Sequence, residues 1–434
     1  MTTICIDAYN IALPRGTGIA TYGRNLLATT RAVGFHNHVM FGSDSRPTQD
    51  NIANEAALLD PGTPRKKLYR WQKAARAASF RLNIFDRHVY PVHRSGEVIW
   101  PQPLEADHFW VAQRLFHDAN RRFKEQGNFT SVRFRTSDSS RPPDLMHWTS
   151  PLPLQARGIP NIYTIHDLIP LRLPHTTLNE RQAFLEMHRE AVRRADHIVV
   201  VSETTRQDVI RILKVPEDRV TNTYQAVHLP AYATRPEDVV RMELANTFNL
   251  EWKNYFLHFG AVEPKKNLGR IVEAYLASGI NTPLVVVGGR GWLADDELAL
   301  LNQYRRQGEF ATERLRFYEY MSHPMLVSLI RGARATVFPS LYEGFGLPLL
   351  ESMALSTAVL TSTGGSLPEL AGSAALIVDP YDVGSIARGF QTLDADEDMR
   401  STLEGLGLQR ANEFSPHAYQ QRLLNAYQKV GFSP

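Results

Sequence analysis

Cysteine is nearly missing from this chain. Of 434 residues only Cys5 carries a thiol, so no disulfide can form within one chain. Cys5 stands in the apolar run Ile4-Cys5-Ile6, where burial is the expected fate. Long hydrophobic runs are also lacking, and nothing approaches the ~18 apolar residues a spanning helix requires. The opening Thr3-Ile-Cys-Ile-Asp7 reads as a strand rather than a secretory leader, so a cytoplasmic protein is expected. No second histidine or cysteine lies at metal-ligand spacing from His166, so no metal is expected there. No repeat of fixed period is visible. What is present is ordinary globular composition, 43% apolar and 21% charged. A chain of this length is expected to form two domains of roughly 200 residues.

The net charge of +3 conceals an uneven distribution. Between Pro61 and Pro143, 16 lysines and arginines face 7 acidic residues. Within that stretch Leu68, Trp71, Ala75, Ala78, Leu82 and Phe85 recur at spacings of three and four. Residues 65–85 therefore read as a helix with one apolar stripe and a basic opposite face. Two fates fit equally: docking on an anionic membrane surface, or a core-facing helix with a solvated basic side. No nucleic-acid-binding motif accompanies the charge, so no nucleic-acid partner is expected.

Short apolar runs alternate with amphipathic stretches over most of the length. Strands are expected at Thr3–Asp7, His38–Phe41, Leu145–Trp148, Ile162–Ile165 and His197–Val201 in the first half. In the second half they are expected at Phe256–Phe259, Leu284–Val287, Arg314–Phe317, Thr336–Phe338, Ala358–Thr361 and Ala375–Val378. Such alternation gives an α/β protein with two doubly wound parallel sheets. Pro230 and Pro236 interrupt the pattern, placing the boundary near Val227–Val240. The expected division is a Rossmann-like domain at 1–228, a second at 229–412, and a C-terminal helix at 413–434 packing back on the first. Residues 43–143 form a basic, weakly periodic insertion.

The richest segment is Glu343-Gly-Phe-Gly-Leu-Pro-Leu-Leu-Glu351, which follows the strand-like Ala335-Thr-Val-Phe-Pro339. Gly344 and Gly346 leave the backbone bare ahead of a helix begun by Pro348, which makes a seat for phosphate. Two carboxylates repel phosphate but accept sugar hydroxyls in pairs. A nucleotide-sugar site follows. Gly260-Ala-Val-Glu-Pro-Lys-Lys-Asn267 places Lys265 and Lys266 at a helix N-terminus, against the dipole, with Asn267 as the expected cap. An anion there, best a diphosphate, explains both lysines; a solvated surface pair is the plainer alternative.

Other segments are weaker. Gly16 and Gly18 in Pro14-Arg-Gly-Thr-Gly-Ile-Ala-Thr-Tyr22 permit close approach of a ligand to the backbone, but fit a dinucleotide fingerprint poorly. His166 ends the strand Ile162–Ile165, on the edge where open α/β sheets bind ligands; a lone histidine is more often structural. Gly288 and Gly289 close a strand as if the backbone were held near a ligand. Tyr320 and Met321 lie in a turn fit for a nucleobase, and Thr363-Gly-Gly-Ser-Leu-Pro-Glu369 is another turn on that edge. Asp394-Ala-Asp396 looks like a short acidic metal motif but reads as a solvated turn.

Together Glu343…Glu351, Gly260…Glu263-Pro-Lys-Lys-Asn267, Gly288-Gly-Arg-Gly-Trp292, His166-Asp-Leu168 and Ser202-Glu203 resemble glycosyltransferase family 4, retaining enzymes of the two-domain GT-B fold. The likeness covers residues 145–390 well and 43–143 hardly at all. It implies that Glu343 faces the donor sugar and Glu351 the ribose hydroxyls. Lys265 and Lys266 would bind the diphosphate with the amides of Phe345, Gly346 and Leu347, beside Gly260, Gly288 and Gly344. His166 would touch the transferred sugar, and Gly18 would face the phosphates from the other domain. Tyr320 and Met321 would flank the base. Catalysis would rest on His166, Glu343 and Lys266, with no metal and no cofactor beyond the nucleotide-sugar donor. Ala261 departs from the family, many of whose members carry a basic residue there. The paired lysines and Gly-Gly-x-Gly-Trp look most like the branch using GDP-mannose, with a dTDP-rhamnose or UDP-sugar donor as the alternative. The acceptor implied is a lipid-linked glycan or polysaccharide, reached at the inner face of a membrane. A glycoside hydrolase, a nucleotide-sugar epimerase and a non-catalytic relative are the rival readings.

Overall fold

The structure, a computed structural model, describes residues 2–12, 18–45, 48, 50–59, 87–100, 104–136, 140–178 and 180–434. The first sheet contains β1 (Thr3–Asp7), β2 (His36–Ser43), β3 (Arg87–Val92), β4 (His108–Gln113) and β5 (Thr130–Phe134). It also holds β6 (Leu145–Trp148), β7 (Leu154–Ala156), β8 (Asn161–Ile165), β9 (His197–Val200) and β10 (Val220–Asn222). Its order is β10-β9-β8-β6-β1-β2-β4-β3-β5-β7. All neighbours run parallel except β3 against β4. The second sheet holds β11 (Phe256–Phe259), β12 (Leu284–Val287), β13 (Leu315–Tyr318), β14 (Ala335–Phe338), β15 (Ala358–Ser362) and β16 (Leu376–Val378). It is wholly parallel, in the order β13-β12-β11-β14-β15-β16.

These strands form because β-branched and aromatic runs such as Leu284-Val-Val-Val287 and Phe256-Leu-His-Phe259 are buried on both faces, as a sheet covered by helices demands. All eleven expected strands appear, shifted by at most two residues at an end. Five were not foreseen. β3, β4 and β5 lie in the insertion, where they widen the first sheet beyond β2, and β3 carries Pro91 in an antiparallel pairing. β7 and β10 are three residues each.

Both sheets begin at their middle and then reverse direction of growth. In the second, β11 starts the sheet, β12 and β13 extend one side, and β14 returns to the other flank of β11. In the first, β1 lies between β2 and β6. Loops leaving the carboxyl ends at such a reversal diverge and open a crevice. The C-terminal helix Pro416–Gln428 packs on the helix Gly18–Ala32, and Tyr427 Oη lies 2.7 Å from His147 Nδ1. Among the described residues no helix is long and apolar enough to cross a membrane. The basic amphipathic stretch 65–85 lies outside the described residues.

Candidate functional site

The reversal between β11 and β14 brings the lysine turn and the two-glutamate segment side by side. After β11 the chain turns at Gly260, whose φ of +138° only glycine adopts readily. Pro264–Lys266 then forms a 3₁₀ turn. Asn267 follows at φ +66°, but it does not cap the helix Leu268–Ser278. Its side-chain amide donates instead to the Pro339 and Pro380 carbonyls at 2.9 and 2.8 Å, tying the turn to the ends of β14 and β16. Leu341 N donates to Lys265 O at 2.8 Å, a second stitch between the two loops.

Lys266 Nζ lies 2.5 Å from Glu343 Oε1. Lys265 Nζ lies 3.7 Å from Glu343 Oε2 and 3.4 Å from Glu263 Oε1. All four side chains are largely shielded from solvent. Burial alone would raise the Glu343 carboxyl, but Lys266 and Lys265 outweigh it and hold the group at about 2. Burial likewise works against the Lys265 ammonium, yet Glu343 and Glu263 push its pKa upward, so it stays charged. The dipole conflict seen in the sequence is thus met partly by the protein's own carboxylates. Glu263 was not singled out there, although it stands inside the motif.

Beyond Glu343 the chain runs through Gly344 and Gly346, the latter at φ +133°, into the helix Leu347–Ala354. That helix has no side-chain cap, and the amides of Phe345, Gly346 and Leu347 donate to nothing among the described residues. Glu351 sits one turn in. Among the described residues no cation accompanies its carboxyl, which burial pushes up to about 7.

The first sheet presents His166 just beyond β8. Its Nε2 is 2.8 Å from the Thr149 carbonyl, which can only accept, so Nε2 carries the proton and Nδ1 keeps a lone pair. Burial lowers the His166 pKa and favours this neutral ring. Tyr22 meets it edge-on, with ring centroids 4.8 Å apart. Gly18 opens the helix Gly18–Ala32, exposed, with nothing within 4 Å of where a Cβ would lie; Gly16 is outside the described residues. Asp7, unremarked in the sequence, ends β1 beside this group and accepts from Thr149 N at 2.5 Å; burial pushes it up to about 6.

Direct bonds join the two sides. Ser202 Oγ donates to Gly344 O at 2.7 Å. Glu369 accepts from the backbone amides of Glu203 and Thr204 at 2.7 and 2.8 Å. Trp292 Nε1 donates to Thr176 O at 2.7 Å. His166 and Gly344 are therefore neighbours. Tyr320 and Met321 are not part of this cluster: they follow β13, two strands or about 10 Å from β11. Tyr320 is 85% exposed there.

Gly288, Gly291, Asp394 and Asp396 have structural duties that the sequence did not show. A Cβ on Gly288 would lie 2.0 Å from the Gly260 carbonyl oxygen, and one on Gly291 2.7 Å from that of Val262. Glycine at 288 is thus required by packing within the protein, whatever else approaches it. Asp394 is no solvated residue: it closes a helix, accepts from Thr282 Oγ1 at 2.6 Å and pairs with Arg334. Asp396 caps the next helix through Met399 N at 2.8 Å.

Two family models match the sequence: Glycosyl transferases group 1 over residues 243–405, and Glycosyltransferase Family 4 over residues 100–229. O-antigen chain mannosyltransferase B of Escherichia coli is 32% identical over 272 residues, 61% of this chain and 69% of that protein. The serotype-specific mannosyltransferase WbdA of Escherichia coli is 25% identical over 362 residues, 78% of this chain. The match spans 44% of WbdA, less than half of its length. Among solved structures, sucrose-phosphate synthase from Thermosynechococcus elongatus superposes with a TM-score of 0.67 at 18% identity, covering 99% of each chain. At that identity the likeness concerns the fold, and it agrees with the expected GT-B architecture.

Proposed function

This chain belongs to glycosyltransferase family 4, and from that premise we propose that it moves mannose from GDP-mannose onto a polysaccharide or lipid-linked glycan of the cell surface, with retention of anomeric configuration. The observation that carries the reading is the pairing of Lys265 and Lys266 with Glu343 at the reversal point of the second sheet. Two shielded ammonium groups beside free helix-terminal amides form a seat for two phosphate charges. The donor's diphosphate binds Lys265 and Lys266 and the amides of Phe345, Gly346 and Leu347. Glu343, released from the lysines, turns to the hydroxyls of the sugar, and Glu351 accepts the ribose hydroxyls. The mannose assignment draws support from the likeness to O-antigen chain mannosyltransferase B.

Transfer breaks the bond from the anomeric carbon to the phosphate oxygen and forms one to the acceptor hydroxyl oxygen. The acceptor's proton passes to the departing phosphate. Charge growing on that diphosphate is stabilised by the two lysines and by the amides of Phe345, Gly346 and Leu347. His166, neutral and fixed by Thr149, lies against Gly344 and meets the transferred sugar from the first sheet. With two ammonium groups in place the reaction needs no divalent cation, so EDTA leaves the rate unchanged.

Thermal-shift measurement against GDP, UDP, dTDP and ADP tests the donor. A ligand at ~100 times its dissociation constant adds roughly 2.7 kcal/mol of apparent stability. GDP is expected to give the largest shift. A clear preference for UDP or dTDP removes mannose while leaving sugar transfer, and no shift with any of them in the wild type removes the donor site.

A further inference from the structure

A cleft of about 730 Å³ lies on the first-sheet side of His166. One wall is the helix Leu115–Gln126 and the other is the helix Arg181–Arg194. Its apolar surface comes from Phe184, Met187 and Leu178, the last 71% exposed at the mouth. Phe184 packs against His188, with ring centroids 3.9 Å apart and the planes tilted by 33°. His188 is more than nine-tenths buried and directs Nδ1 to the Phe184 carbonyl at 2.8 Å, leaving Nε2 without a bond among the described residues.

The charge of this cleft is opposite to that of the lysine turn. Among the described lining residues Asp167, Glu125, Glu180 and Glu186 are acidic and Lys124 is basic; Arg121 pairs with Glu125 at 2.7 Å, so Asp167, Glu180 and Glu186 set the sign. Burial lowers the His188 pKa to about 4, so His188 adds no compensating charge at neutral pH. Exposed carboxylates accept hydroxyl pairs, a ring nitrogen accepts one more, and an aromatic face covers the C–H side of a sugar ring. The same carboxylates repel phosphate and carboxylate groups.

We propose that the acceptor end entering this cleft is an uncharged saccharide ring, and that the carboxylate rim rejects acceptors bearing phosphate or carboxylate there. This rests on the glycosyl-transfer reading above and deepens it. The enzyme then extends a glycan already begun, because the phosphate of a lipid carrier is unwelcome at the rim. Anion and neutral ring are sorted to opposite sides of one crevice, the donor by two lysines and the acceptor by the carboxylates of Asp167, Glu180 and Glu186.

The test compares three acceptors of equal length: a neutral oligosaccharide, the same chain ending in a uronic acid, and the same chain ending in a phosphate monoester. Binding is followed by saturation-transfer NMR with GDP present, and transfer by kcat/KM at low and high salt. The neutral chain is expected to bind, and the anionic ones to be at least about tenfold weaker, a gap that narrows with salt and in Glu180→Gln/Glu186→Gln. Equal or better use of an anionic acceptor, no binding of the neutral one, or a gap indifferent to both changes overturns the proposal. Ala183→Trp, an exposed change that fills the cleft, should raise acceptor KM about tenfold and leave the GDP thermal shift intact; an unchanged KM also overturns it. A wild type that binds GDP yet prefers the anionic chain sinks this inference alone, whereas one that binds no nucleoside diphosphate sinks the donor reading.

Discussion

Gly344 rests directly on His166: a Cβ at position 344 would lie 2.5 Å from the His166 carbonyl oxygen and 2.6 Å from Asp167 Cβ. Backbone on the far side cannot swing away as a flexible side chain would. Gly344→Ala must therefore wedge the two sides of the crevice apart, at about 1–3 kcal/mol of overpacking. A misplacement of this size beside the chemistry is expected to lower kcat at least tenfold, or about 1.4 kcal/mol. Circular dichroism should stay native. Unchanged kcat would show that this contact does not set the geometry of transfer.

The clasp of Glu343 by two lysines carries a pH signature. Its carboxyl sits at about 2, against an ordinary value of 4.5. Because the folded value is depressed, the stabilisation is present in full above pH 4.5 and is lost as pH falls through 4.5 towards 2. Its size is about 3 kcal/mol at the most. Thermal melts from pH 7 down to pH 3 should show the wild type losing more stability than Glu343→Gln. Parallel losses would exclude the clasp as its source.

Lys266→Ala leaves Glu343 with Lys265 at 3.7 Å as its nearest cation. Breaking a buried pair from one side costs about 3–5 kcal/mol, and the remaining lysine should keep the loss near the lower figure. Nucleoside-diphosphate affinity is expected to fall at least tenfold in the same variant, and further in Lys265→Ala/Lys266→Ala. Isothermal titration with GDP measures it. Affinity unchanged in the double variant would abolish the diphosphate seat.

Glu351 has the opposite sign. With the folded carboxyl raised to about 7, the native state holds a proton that the unfolded chain has released above pH 4.5. Stability therefore declines as pH rises from 4.5 through 7, by no more than about 3 kcal/mol. Glu351→Gln should gain on the wild type at pH 8 relative to pH 5. Ribose hydroxyls donate better to the ionised form, so wild-type GDP affinity should rise across neutral pH while that of Glu351→Gln stays flat. A flat wild-type profile would detach Glu351 from the ribose.

How far the sequence could be read follows from what each element buries. Strands covered on both faces, such as β11, β12 and β14, announce themselves as unbroken apolar runs, and the motifs at their ends came with them. β3 and β4 hold Arg87-His-Val-Tyr-Pro-Val92 and His108-Phe-Trp-Val-Ala-Gln113, where histidine, proline and glutamine break any period. The lysine and glutamate motifs were legible because charge at a glycine turn has few uses. Hidden from sequence was that Gly288 serves the Gly260 carbonyl, since close backbone contact and ligand contact select the same residue. Glu263, Asp7 and the cleft beside Phe184 depend on contacts between distant segments, which no local pattern encodes.

Asn267 offers the clearest separation of strain from bonding at the site. It is 1% exposed, stands at φ +66°, and its amide serves two carbonyls at once. Asn267→Gly keeps the left-handed backbone at ease but strands both carbonyls, at about 1–3 kcal/mol each. Asn267→Ala loses the same bonds and adds roughly 1–2 kcal/mol of left-handed strain. Ala should therefore be the less stable of the two by that margin in denaturant melts. Both should weaken GDP binding, because Lys265 and Lys266 precede this anchor directly. Equal stability of the two variants would mean that the turn relaxes out of its left-handed conformation when the amide is removed.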